Sequence, residues 1–355
     1  MSALRPTVSG RPRRAHRNRG FTLIELMIAM LLGLIVIAGV TSVFLAGQQS
    51  YRTNGALADV EDGSRIAFEL LARDIRQAGL TGCDTSSGRI ANVLNNQGTD
   101  WWANFGNALH GYGGANSSAT DGDTNQDDPA VTTGAAVGER VAGTDSLQVI
   151  GADDPPVTIK EDKEPAANFK LNEATTSLHD GDIIVVCSPD HATVVQISNY
   201  NSSNITVVHN TGSSVSPGNC SKGLGYPTVC STNGNVYSFP QNSSIAGLGA
   251  SDWYIGNYNT TGGRSLYRIA LTNTSGSPGT AAQEIVRNVK DMQITYLQNP
   301  NTSFVSAANV TDWSAVTAVR VTLTVESTFQ RASVDGSAPI VRTYSAITTI
   351  RNRVE

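Results

Sequence analysis

From Phe21 to Gly47 the chain runs through 27 residues that are almost wholly apolar, and this run constrains everything after it. As a helix it is about 40 Å long, enough to cross a bilayer with tilt. Glu25 is its only charge. A carboxylate in such a segment costs on the order of 3 kcal/mol if placed centrally, so it needs a reason. The twenty residues ahead of the run carry Arg5, Arg11, Arg13, Arg14, Arg17 and Arg19 and no acid. Basic residues before the run and none immediately after it place the leader in the cytoplasm and the rest outside it. A secretory signal has about 7–15 apolar residues followed by a small-residue cleavage site. Here the small residue, Gly20, comes first, so cleavage there leaves the apolar run on the protein. A twin-arginine signal at Arg13-Arg14 lacks the apolar residues expected just after the pair. An ordinary single-span anchor accounts for the length but not for Glu25.

Without its leader the chain has 19 Lys plus Arg against 30 acids, a net charge near −11. That lacks the cationic footprint of a nucleic-acid-binding protein. Beyond residue 80 the sequence is rich in Gly, Ser, Thr and Asn, as in an exported β-rich domain with long loops. Cys83, Cys187, Cys220 and Cys230 all fall on the extracytoplasmic side, where disulfides form. Four cysteines allow three pairings. We expect Cys220–Cys230, around a turn containing Gly223, Gly225 and Pro227, and Cys83–Cys187, tying the helix end to a strand. Zinc is the alternative, but no CxxC pair or nearby histidine set accompanies these cysteines.

A second helical stretch follows the apolar run without an intervening proline. Leu57, Val60, Ala67, Leu71, Ile75 and Ala78 recur at spacings of three, four or seven, the stripe of an amphipathic helix. Arg65, Glu69, Arg73, Asp74 and Arg76 are read onto its other faces, and Gly79 and Gly82 close it. Residues 21 to about 79 thus form one helix of roughly 90 Å. Glycines 33, 39, 47, 55 and 63 each weaken it by ~1 kcal/mol relative to alanine. The chain divides into a leader (1–20), the helix (21–80) and a head (81–355). Residues 84–143 read as loop. Strands are expected at 146–150, 182–187, 193–198, 205–209, 236–239, 253–258, 265–271, 292–298, 316–325 and 341–351. Of these, 318–325 alternates most cleanly. The fold class is α+β, a long helix followed by a large β-rich head of mainly antiparallel strands.

No enzyme constellation stands out. Ser188-Pro-Asp-His191 brings three triad residue types together in sequence, but a triad is assembled by tertiary geometry and an oxyanion site. His110, His179 and His209 are scattered surface or strand residues. Asp121, Asp123, Asn125 and Asp127 alternate as in the first half of a calcium loop. Gln126 stands where such a loop needs Gly, and Thr132 where a Glu should close it, so a solvated acidic loop is the simpler reading. No cofactor is expected, with calcium at these four residues as the alternative. The Asn-x-Ser/Thr triplets are read as turn residues.

The stretch Arg19-Gly-Phe-Thr-Leu-Ile-Glu-Leu-Met27 resembles the cleavage and methylation signature of type IV prepilins. The resemblance implies cleavage after Gly20 by a prepilin peptidase, N-methylation of Phe21, and a Glu25 carboxylate facing that terminal amine. Residues 63–83 are similar to the helix end of PilW-type minor pilins. So are Gly181-Asp-Ile-Ile-Val-Val186, Asp312-Trp-Ser-Ala-Val316 and Thr349-Ile-Arg-Asn-Arg353. The J-type minor pseudopilin of type II secretion shares the helix pattern but has a smaller head. The resemblance implies a minor pilin that initiates or caps a pilus. It would sit in the inner membrane with a periplasmic head, partner other minor pilins and the major pilin, and end in an extracellular filament. A pilus-tip adhesin using loop 84–143 is the alternative from another class.

Overall fold

The computed structural model describes residues 20–83, 88–114, 126–153, 157–212, 215–259, 261–333 and 337–353. Helix α1 runs unbroken from Leu23 to Gln77, 55 residues, about 80 Å by rise per residue. Thr22 caps its start, with Oγ1 accepting the Glu25 backbone N–H at 3.3 Å. Among the described residues, 21–48 are exposed throughout. Phe21, Leu34 and Phe44 are 81%, 70% and 67% exposed, and the most apolar window is entirely bare. The second half buries Ala56, Val60, Ser64, Ala67, Leu71, Asp74 and Ile75. The apolar members follow the expected stripe.

The head opens with β1 (Ile90–Asn92) and β2 (Leu109–Tyr112), followed by β3 (Ser146–Ala152), β4 (Val157–Lys163) and β5 (Asn168–Leu171). Next come β6 (Ile183–Ser188), β7 (His191–Gln196), β8 (Asn199–Asn201), β9 (Thr206–Val208) and β10 (Ser244–Asn257). The last five are β11 (Arg264–Thr274), β12 (Ser277–Arg287), β13 (Val289–Gln298), β14 (Val316–Glu326) and β15 (Val341–Thr349). Among the described residues they form a 12-stranded and a 3-stranded sheet, the latter in the order β13-β14-β15. Pairing is antiparallel except between β1 and β7. Strand β10 is the hub. Its first residues pair with β6 and β4, and the rest pair with β3 and β11.

Three cores result. The first lies between α1 and the 3-stranded sheet, where Val60, Leu71 and Ile75 meet Val319, Val321, Leu323 and Trp253. In β14 Val319, Val321, Leu323 and Val325 point into this core and Arg320, Thr322 and Thr324 point away. Strand β6 serves two other cores at once. Ile184 and Val186 face one, while Ile183, Val185 and Cys187 face the other. A strand covered on both faces loses its polar alternation, which explains the continuous apolar run Ile183–Cys187.

The structure corrects four expectations. Residues 84–143 are not simply loop, because β1 and β2 lie there and Trp102, Phe105 and Leu109 are buried. Residues 236–239 form no strand. They close a disulfide-tied loop in which Gly225 N–H donates to the Asn235 carbonyl at 2.8 Å, and Tyr237 stacks on His191 at 4.1 Å between ring centres. Strand β12 was missed because it carries Pro278, Gly279 and small or polar residues. It pairs only with β11, and edge strands tolerate such residues. Its hairpin turns through Ser275 and Gly276, both at positive φ, the geometry favoured in two-residue hairpin loops.

The fourth correction is Asp74, which is buried rather than on an outer face. Its Oδ2 accepts from Ser251 Oγ (2.8 Å), Trp253 Nε1 (2.9 Å) and Arg268 Nε (2.8 Å). The Arg268 guanidinium also lies over the Trp253 ring, 5.7 Å from its centre. One helix carboxylate thereby ties α1 to both β10 and β11. Removing one partner of a buried ion pair costs ~3–5 kcal/mol. Because the Arg268 side chain is 29% exposed, we place Asp74→Ala near the lower end, a loss of about 3 kcal/mol. Asp74→Asn, which keeps an acceptor, should lose less. Urea unfolding of the full chain in detergent micelles, followed by tryptophan emission, measures both. Wild-type stability in Asp74→Ala would contradict the assignment.

Candidate assembly site on the N-terminal helix

The expected assembly residues sit at the free end of α1. Gly20, Phe21 and Thr22 precede the helix, and Glu25 lies in its first turn, exposed. That turn leaves backbone N–H groups without intrahelical partners, and a carboxylate there is favoured by the helix dipole. Among the described residues no cation pairs with Glu25. Phe21 and Glu25 are therefore presented outward on a bare apolar rod, available to a partner outside this fold.

The other end of the rod is fixed in several ways. Cys83 is bonded to Cys187 of β6, and Cys220 to Cys230. Closing a loop with a sequence separation of 104 stabilises by about 4–5 kcal/mol in the chain-entropy model. Gly79 has φ +71, a left-handed conformation suited to glycine at a helix end. Its carbonyl accepts from Asn352 Nδ2 at 2.9 Å. Arg353 Nη1 donates to the carbonyls of Trp313 (2.6 Å) and Val316 (3.1 Å). The turn at Trp313 is capped by Asp312, whose Oδ1 accepts from Ser314 N and Oγ at 2.8 and 2.6 Å. The stretches at 312–316 and 349–353 are thus packing elements that meet at the end of α1.

Ser188, Asp190 and His191 are neighbours but not a triad. Ser188 Oγ bonds Asp190 Oδ1 at 3.0 Å, whereas the His191 ring is 2.6 Å from the Leu224 carbonyl. His191, in β7, and His209 are both buried, and burial pulls the pKa of His209 down to about 4. Asp121, Asp123 and Asn125 lie outside the described residues, and Asp127 is exposed.

The next acid, Asp128, is buried and was not singled out in the sequence. It accepts from Ser146 Oγ, from Gln148 Nε2 at 3.0 Å and from Ala130 N at 2.8 Å. Beside it, burial and the charge of Asp128 push the carboxyl of the fully buried Asp252 well above its ordinary value, which favours its protonated form. Burial raises Asp128 too, against the hydrogen bonds from Ser146 and Ala130. Arg140, with no exposed surface, donates to the carbonyls of Thr144 (3.0 Å) and Gly113 (3.0 Å). The cluster braces the head and lies well along the chain from the free helix end.

Two family profiles match the chain. One, described as the prokaryotic N-terminal methylation motif, covers residues 15–41, and the other, Type IV Pilus-assembly protein W, covers residues 252–353. No curated protein matches. A long apolar helix bearing the methylation motif, followed by an antiparallel head, defines a type IV pilin-like protein. The second match narrows the class to the PilW type. The two matches and the fold support a component of type IV pilus assembly that is anchored at the inner membrane and interacts with other pilus components. Both matched families are structural or assembly components rather than enzymes.

The Asp252 proton has a consequence for stability. The folded value lies above the unfolded one, about 3.9. Its contribution is therefore fully present below the unfolded value and is lost as pH rises through the folded value. Asp252→Asn, permanently neutral, should have a higher thermal midpoint than wild type at pH 8, and the gain should vanish by pH 4. Differential scanning calorimetry at the two pH values checks this. An equal or lower midpoint for the variant at pH 8 would contradict it.

Proposed function

We propose that this protein is a minor pilin that joins other minor pilins in a complex that initiates or caps a type IV pilus. A prepilin peptidase removes residues 1–20, and the new Phe21 terminus is N-methylated. The chain waits in the membrane as a single-pass protein with its head in the periplasm. On extraction the bare helix half is covered by neighbouring helices, at ~25 cal/mol per Å² of apolar area removed from water. Glu25 pairs with a Phe21 ammonium, its own or a neighbour's, so neither charge stays alone in a low-dielectric core.

One observation carries the reading. A single unbroken helix has its apolar half, with Glu25 in the first turn, uncovered by any described residue and its second half locked into the head. A simple membrane anchor requires neither the carboxylate nor a rigid connection to the head. The size of the head supports PilW over the J-type pseudopilin, which serves export instead. For the tip-adhesin alternative, described parts of 84–143 are built into a core, so deleting the whole stretch would not separate surface binding from folding.

A strain lacking the gene, complemented with wild type, Glu25→Ala, Glu25→Gln or Glu25→Asp, tests the proposal. Piliation is scored by electron microscopy, exoprotein secretion in parallel, and incorporation by immunoblot of sheared filaments against membranes. The null strain should lose pili and keep secretion. Glu25→Ala should be inserted and cleaved but poorly incorporated, since losing one member of a buried pair costs ~3–5 kcal/mol. Glu25→Asp should recover part, and Glu25→Gln separates charge from shape. Loss of secretion with normal piliation would move the chain to the export system. Wild-type incorporation of Glu25→Ala would overturn the charge pair.

A further inference from the structure

The connection between β14 and β15 reaches past the head and grips α1 where its apolar half ends. Gln49 is the first helix residue after the start that is not exposed, two residues beyond Gly47 and so about 3 Å further along the axis. Its Nε2 donates to the carbonyls of Ser333 at 2.7 Å and Arg331 at 3.4 Å. One turn on, Thr53 Oγ1 donates to the Ala332 carbonyl at 2.9 Å. Six residues further, Asp59 Oδ2 accepts from Thr328 N and Oγ1 at 2.8 and 2.9 Å. Ala332 is buried with Ala56 and Ile340 in a small separate core. The Phe329 ring lies over Gly55, where an added Cβ would approach it to 3.3 Å.

This grip fixes residues 328–333 against the helix at the level where an apolar run of 27 residues leaves a bilayer. About 40 Å of helix exceeds a hydrocarbon core of about 30 Å, so Gly47 falls among the headgroups. The surface at that level has the composition of a membrane interface. Phe329 is 38% exposed and Tyr51 77%, while Arg331 is exposed and Arg52 half-exposed. Aromatic residues settle at headgroup depth, and arginines there face lipid phosphates. The patch is continuous with the bare helix. The nearest acid on the helix, Asp59, is occupied by Thr328 and sits seven residues beyond Arg52.

We infer that residues 328–333, with Tyr51 and Arg52, form a foot that seats the head on the anionic phospholipid surface of the membrane that α1 crosses. The inference rests on the reading that the apolar half spans a bilayer before assembly. Seated in this way, the head cannot swing freely about the helix, and the rod is held at a set height and orientation before extraction. Leaving the membrane then breaks the contact of the foot as well as that of the apolar run.

The test uses the full chain in vesicles of phosphatidylethanolamine and phosphatidylglycerol, with bromine placed near the top or near the end of the acyl chains. Tryptophan is introduced singly as Phe329→Trp, Arg331→Trp and, within the span, Leu34→Trp, and emission is read as the excess over wild type. Leu34→Trp should be quenched by deep bromine, and this arm tests the spanning reading alone. Phe329→Trp and Arg331→Trp should be quenched by shallow bromine and little by deep bromine. For Phe329→Trp, replacing phosphatidylglycerol with phosphatidylcholine should reduce that quenching, and so should adding Arg331→Ala. Quenching of Leu34→Trp with none at 329 or 331 would show that the patch faces solvent or another protein, and would overturn the foot. An unquenched Leu34→Trp would overturn the spanning reading on which it rests.

Discussion

Twenty-seven residues of bare hydrocarbon cannot stay in water, and the remainder of the fold is arranged around that constraint. In the proposed function, the helix is free along its apolar half so that a bilayer, and later neighbouring helices, can cover it. It must also be rigid along its second half so that its position defines the position of the head. The hydrogen bonds of Asp74 to Ser251, Trp253 and Arg268 meet the second requirement near the middle of the head. The loop at 328–333 does so at the lower end, and Cys83–Cys187 with Asn352 at the upper end. Between them the apolar stripe of α1 is closed against β13, β14 and Trp253.

The two profile matches fall on the parts that carry this arrangement. The first covers the cleavage motif and most of the apolar half, residues 15–41. The second, 252–353, begins at the Asp252–Trp253 pair on β10 and ends at Arg353. It takes in Arg268, the 3-stranded sheet, the loop that grips Gln49, and the turn at Trp313. Residues 84–251, which neither profile covers, build the two cores that do not contain the helix. The second match thus takes in much of the structure packed on α1, while Cys187 and Ser251, which also hold the helix, lie in the stretch before it.

The helix was legible because its signals are local. A membrane-length run, a stripe at helical spacing and closing glycines all lie within 60 residues, and the observed helix ends within two residues of the expected bounds. Strand β14 was legible for the same reason, since one face is buried and the other is not. Asp74 was misplaced because its partners are more than 170 residues away, and a charge beside Arg73 and Arg76 reads as a solvated face. Asp128 and Asp252 were missed likewise, being buried only by contact between β10, β3 and residues 126–130. The region 88–114 read as loop because its strands are short and its aromatics cap a core supplied by β3, β6 and β7.

The central claim is that the apolar half stays on the mature protein with a processed terminus and enters a filament. Intact-mass and N-terminal peptide analysis of the chain recovered from sheared pili tests this most directly. The account predicts a protein beginning at Phe21 with a methylated amine and both disulfides in place. A chain recovered from pili with residues 1–20 still attached, or beginning beyond Gly47, would contradict it.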